Sequence, residues 1–151
     1  MEEHVNHPQH YNSHPSGVEC IDIIRHYVCD ISNVFKYLWR AGLKGEEGMT
    51  DREKEIEDMQ KALWYLNDYH QSLVGSSLMT LGMFDHPSGI EVDKIASHYV
   101  EPVANTFRLL WRVGLITKDG HVLHVPGEVA AVTVAMSLLY EYIETLKKEL
   151  Q

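Results

Sequence analysis

The chain is poor in cysteine, with two in 151 residues, Cys20 and Cys29. They stand nine positions apart on what reads as one helix. At roughly 1.5 Å of rise per residue that separation is too long for a disulfide. Two reduced thiols point to the cytosol. No segment approaches 18 consecutive apolar residues, so the sequence predicts no membrane span. The start, MEEHVNHPQHYNS, lacks the apolar stretch of a signal peptide. Cations are also scarce: 13 Lys and Arg face 22 Asp and Glu, for a formal charge of −9. A DNA or RNA backbone needs a basic field, which argues against non-specific nucleic-acid binding. A small anion in a local cationic pocket remains compatible with that charge. Finally, no G-x-x-x-x-G-K-S/T phosphate loop occurs, and Gly42-Leu43-Lys44-Gly45 does not substitute by spacing. Any phosphate would have to be held by side chains.

What the chain does have is a passage that returns. Residues 14–43, HPSGVECIDIIRHYVCDISNVFKYLWRAGL, align without a gap on residues 86–115, HPSGIEVDKIASHYVEPVANTFRLLWRVGL, with 16 of 30 positions identical. No low-complexity bias accounts for this, and an internal duplication is the direct reading. The organisation expected is a first repeat over 1–72, a linker over 73–85 and a degenerate second repeat over 86–151.

Helical spacing recurs along both halves. Val18, Ile21, Ile24 and Val28 predict one helix, and a second runs from Ser32, as N-cap, to about Ala41. Thr50-Asp51-Arg52-Glu53 forms a capping box that opens a long helix with the stripe Ile56, Met59, Leu63 and Leu66. The second half predicts helices near 90–100 and 103–113. There Asp119-Gly120, flanked by β-branched residues, signals a two-residue hairpin. A last long helix follows Pro126-Gly127, with Val129, Val132, Met136, Leu139, Ile143 and Leu146 as its stripe. The expected fold is all-α: two three-helix units packed about a pseudo-twofold axis, with one short hairpin in the second half. Matched aromatics Phe35, Phe107, Trp39 and Trp111 read as core.

Three polar groupings remain. Asn33, Lys36, Arg40 and Lys44 share a helix face, matched in the second segment by Asn105, Arg108 and Arg112. An amide followed by cations can clamp phosphate oxygens and a base or sugar edge. The alternative is ion pairing, with Glu19 and Glu91 as partners. In the third helix of the first half, Glu53, Glu57, Asp58 and Lys61 form a charged face that GEVAAVTVAMSLLYEY lacks. It could place magnesium on a phosphate through Glu57 and Asp58, or be an ordinary solvated face. The ten histidines include His4, His7, His10 and His14 near the start. Their spacing suits a zinc site loosely. Otherwise His7-Pro8-Gln9-His10-Tyr11 is a rigid loop over a pocket, with His10 and Tyr11 touching ligand.

The sequence HPQHY, then GVECID, NVFKYLWRAGLKG and EDMQKALWYL, resembles a family of small phage-encoded proteins known as nucleotide kinases, over roughly residues 5–70. The resemblance implies a bacteriophage origin and deoxynucleoside monophosphate kinase activity without a phosphate loop, with ATP and magnesium as cofactors. It carries function onto His7, His10, Tyr11, Glu19, Asp22, Asn33, Lys36, Arg40, Lys44, Glu57, Asp58 and Lys61. As an enzyme, Lys36, Arg40, Glu57, Asp58 and Lys61 would be its catalytic set, the cations neutralising phosphates. Without catalysis, the same cations would make an anti-defence sponge for a host nucleotide signal. An all-α metal-dependent nucleotide pyrophosphohydrolase and a protein-interaction module are further alternatives. A small nucleotide ligand, homo-oligomerisation and the bacterial cytoplasm complete the expectation.

Overall fold

A computed structural model describes residues 14–41, 48–73 and 85–151. The chain is mostly helical with one short antiparallel hairpin. Helix α1 spans Cys20–Ile24, α2 Cys29–Trp39 and α3 Asp51–Leu73. Then come α4, Asp93–Ala96, and α5, Glu101–Leu110. Strands β1, Leu115–Ile116, and β2, Val122–Leu123, precede α6, Glu128–Glu149.

Several local expectations change. Helix α1 stops at Ile24, and α2 starts at Cys29 with Val28 as its N-cap, so Ser32 lies inside the helix. Cys20 and Cys29 therefore belong to different helices, and both thiols are free. The hairpin pairs Leu115 with Leu123 and Ile116 with Val122, leaving residues 117–121 as a longer loop than Asp-Gly alone requires. Gly120 still supplies the left-handed residue, at φ 84°. Val129 is exposed, and Glu128 and Ala135 replace it and Met136 in the buried stripe of α6. The capping box forms as expected. Glu53 N–H donates to Thr50 Oγ1 at 3.1 Å, and Thr50 N–H donates to the Glu53 carboxylate at 2.7 Å.

Helix α3 packs on α2 and on α6, and α5 packs on α6. Helices α3 and α6 run antiparallel. Arg52 meets Glu149 at 3.1 Å at one end, and Tyr69 donates to Glu128 at 2.8 Å at the other. By length and composition α6 is apolar enough to cross a membrane, contrary to the sequence expectation. Its stripe Val132, Ala135, Leu139, Ile143 and Leu146 is nevertheless buried within the core, as a core helix requires.

The aligned segments meet through their matched aromatics. Phe35 stacks on Phe107 with centroids 5.4 Å apart and planes 3° from parallel. Trp39 packs edgewise on Phe107, and Trp111 on Phe35. Tyr99 donates to the Trp39 carbonyl at 2.8 Å, and Tyr27 donates to the Trp111 carbonyl at 2.5 Å. Both HPSG sequences make the same turn. The His14 and His86 Nδ1 atoms lie 2.7 Å from the hydroxyls of Ser16 and Ser88. The serine backbone N–H groups also point at those Nδ1 atoms. Two donors on Nδ1 place the proton on Nε2. In His86 that N–H reaches Tyr27 Oη at 2.8 Å.

Backbone joins the halves too. Val28 N–H donates to the Gly114 carbonyl at 2.7 Å, and Ile116 N–H to the His26 carbonyl at 2.9 Å. Gly114 has φ 73°, and a Cβ there would stand 2.8 Å from Ile31 Cγ1 and 2.9 Å from Val28 Cγ2. Both neighbours are core or core-packed, so neither can swing away. Replacing Gly114 with Ala is expected to cost about 1–3 kcal/mol from strain and overpacking. A urea unfolding curve with an unchanged midpoint would contradict this.

Candidate functional site

Helices α2 and α3 bring charge together along their shared seam. Burial on both sides of the seam leaves long side chains to reach along it. Asp58 is 1% exposed, and its carboxylate lies 3.7 Å from Arg40, the C-cap of α2, and 3.7 Å from Lys54 one turn back on α3. Arg40 and Lys54 are themselves buried, at 6% and 2% exposure. Lys54 also donates to Glu57 at 3.1 Å, and Lys61 donates to the same oxygen at 2.6 Å. These two hydrogen bonds, Lys61 first, pull the Glu57 carboxyl below its ordinary range.

One ring gathers three of the cations, buried Arg40 and the partly exposed Lys36 and Lys61. The Lys36 ammonium lies 4.7 Å from the Tyr37 centroid, the Arg40 guanidinium 5.2 Å and the Lys61 ammonium 5.6 Å. A negative ring face attracts each of them. Tyr37 stacks on Tyr65 with centroids 6.0 Å apart, and Trp64 meets Tyr65 edgewise at 5.0 Å. The result is a cationic patch backed by three aromatics, in a protein of net charge −9.

Of the residues singled out by sequence, Lys36, Arg40, Glu57, Asp58 and Lys61 come together here. Asn33 turns back on its own helix, donating to the Cys29 carbonyl at 2.9 Å. His7, His10, Tyr11 and Lys44 lie outside the described residues. The second-segment face behaves differently. Arg108 donates to Asp93 at 2.8 Å and to the Asn105 carbonyl oxygen at 2.9 Å, with Glu101 3.9 Å away. Asn105 in turn donates to Glu101 at 3.2 Å. Tyr37 has no aromatic counterpart there, since the aligned residue is Leu109. Arg112 is half-buried near Tyr27 and His86; burial raises the Tyr27 hydroxyl well above its ordinary value with Arg112 as a partial offset, and burial, His26 and Arg112 together lower His86.

Sequence reading missed Lys54, Tyr37 and Tyr65. The signal for Lys54 was present, because Lys54, Glu57, Asp58 and Lys61 stand three and four apart on one helix. Nothing in the spacing marked Tyr37 as the ring on which cations from two helices meet. A second polar network was also missed. Buried Glu128 accepts from Tyr69 at 2.8 Å and lies 2.9 Å from His124 Nδ1. Nearby, burial and a shared hydrogen bond with Asp68 push the Asp30 carboxyl up to about 6.

The two carboxylates offered as magnesium ligands do not fit that role as they stand. Both are engaged by lysine or arginine, and among the described residues no group of three or more His, Cys, Asp or Glu could hold a metal ion.

Removing the buried carboxylate leaves two buried cations facing one another. Asp58→Ala is expected to lose about 3–5 kcal/mol of unfolding free energy, measured by urea titration. Acid dependence between pH 6.5 and 4 follows chiefly from three groups, with the lowered Glu57 carboxyl adding a loss at still lower pH. Burial pushes His14 and His86 down to about 4, so their contribution is complete above pH 6.5 and is lost as pH falls toward 4. Asp30 is raised, so it opposes them, adding stability as pH falls through about 6. Two histidines outweigh one carboxylate, and the melting temperature should fall between pH 6.5 and 4. Asp30→Asn should raise it at pH 7 and steepen that acid loss.

Residues 5–67 match a family described as a protein of unknown function, DUF3310. The match covers less than half of the chain and ends before the second aligned segment. It supports neither a nucleotide-kinase family nor an internal duplication, and the resemblance drawn from HPQHY, GVECID and NVFKYLWRAGLKG is corrected accordingly. No curated protein and no solved structure matches the chain.

Proposed function

We propose that this protein binds a small phosphate-bearing ligand, a nucleotide, on the α2–α3 face around Tyr37. The observation that carries the reading is the convergence of Lys36, Arg40 and Lys61, from two helices, on one tyrosine ring. Buried Arg40, held by Asp58, helps fix the ring, while Lys36 and Lys61 lie partly exposed on it. An ammonium carries three N–H donors, so Lys61 can keep its bond to Glu57 and, with Lys36, still donate outward to phosphate oxygens as charge-assisted hydrogen bonds. The matched face around Arg108 differs in having Leu109 where Tyr37 stands, and no ring gathers its guanidinium, which bonds Asp93 and Asn105 instead.

Sequestration is favoured over phosphoryl transfer. Glu57 and Asp58 neutralise Lys54, Lys61 and Arg40, and a transfer site would need free carboxylates for its metal. The protein holds its ligand and releases it unaltered.

The arrangement around this face is two three-helix units related by a pseudo-twofold axis. The reciprocal bonds Tyr27 to Trp111 and Tyr99 to Trp39 support it, as does the parallel Phe35–Phe107 pair lying between them.

Calorimetry with inorganic pyrophosphate and with ADP tests the reading. Lys36→Ala and Lys61→Ala should each weaken both ligands roughly 10-fold or more, the scale of one charge-assisted bond. Arg108→Ala should leave affinity unchanged. Incubation with ATP, magnesium and deoxynucleoside monophosphates should return every nucleotide unchanged, and new diphosphates would overturn the holding role.

A further inference from the structure

Beside the cationic face lies an open groove between α3 and α6, about 570 Å³ in volume. That falls within the range of small-molecule sites. Leu63 and Met136 supply apolar surface. Trp64 enters from α3 and Tyr140 from α6, and they are 63% and 59% exposed. Large aromatics on both helices thus leave ring surface open to water along one groove. Trp64 is not loosely placed, however. Its ring stands edgewise on Tyr65, which stacks on the same Tyr37 that gathers the cations. Lys61 lies three residues before Trp64, one turn away on neighbouring positions of α3. The groove also offers acceptors at its edge, the carboxylate of Glu141 and the amide of Asn67.

We infer that this groove takes the planar heteroaromatic base of the ligand, between Trp64 and Tyr140, with an amino-bearing edge toward Glu141. The inference rests on the phosphate-binding role of the neighbouring face and names the part of the ligand that face does not hold. Stacking on exposed aromatics tolerates many bases, while a carboxylate selects those with N–H donors.

Tryptophan emission in the full chain tests this directly, because Trp39 and Trp111 are buried and Trp64 is the exposed one. ADP, adenosine and inorganic pyrophosphate are the probes. ADP should quench the Trp64 emission and bind more tightly than pyrophosphate, which should bind without quenching. Trp64→Ala and Tyr140→Ala should each weaken ADP roughly 10-fold, and Tyr140→Ala, away from the cationic patch, should leave pyrophosphate unchanged. Both side chains are exposed, so folding should survive, and a circular dichroism melt checks that it does. Equal affinity for ADP and pyrophosphate with no quenching would overturn the base site while leaving the phosphate face standing. Quenching by adenosine with no pyrophosphate binding would instead sink the phosphate reading on which it rests. Binding of no probe would end both.

Discussion

Burying a carboxylate between cations is the constraint on which the α2–α3 seam depends. Asp58 sits inside the protein with Arg40 and Lys54 brought in beside it. Each group would be costly alone, and a pair or triad is tolerated when its charges compensate. Arg40 caps the C-terminus of α2 and Lys54 belongs to α3, so the cluster fixes how the two helices face one another there. The position of the Tyr37 ring follows, and with it the cations that lie over the ring. The same triad that gives the seam its register thus sets the geometry of the outward face.

The two aligned segments solve one packing problem with different chemistry outside it. Their histidines, tyrosines, phenylalanines and tryptophans meet across the contact in reciprocal pairs, which accounts for most of what the segments share. The HPSG turn is structural in both, closed by a serine hydroxyl on an imidazole nitrogen. Likeness between the segments therefore marks the core rather than a pair of binding sites. The difference lies at Tyr37 and Leu109. With an aromatic ring, cations gather on it; without one, Arg108 turns to Asp93.

Much of the helical order was legible because burial imposes a period on the sequence. The stripe of α3 and the Thr50–Glu53 cap were readable from spacing alone. Helix limits were less so. Cys29 and Asp30 have no strong cap signal, and α2 begins there because Val28 pairs its N–H with Gly114, far away in the chain. The five-residue hairpin loop likewise answers to Tyr27, which bridges to Leu115 and fixes where pairing begins. At the candidate site, spacing found the charges on each helix but not their convergence across helices. Spacing shows Lys61 as a partner for Glu57, but draws no attention to Lys54 one turn back or Arg40 across the seam, which engage Asp58.

The backbone tie between His26–Val28 and Gly114–Ile116 has an organisational consequence. Each half supplies hydrogen-bonding groups and ring faces that the other completes, so the halves are complements rather than modules. Separated, each would present a row of open peptide groups and a bare aromatic surface to solvent. A chain cut between them would hold its shape by association, the way two fragments of one enzyme reassemble, and evolution could exchange neither half without remaking the other.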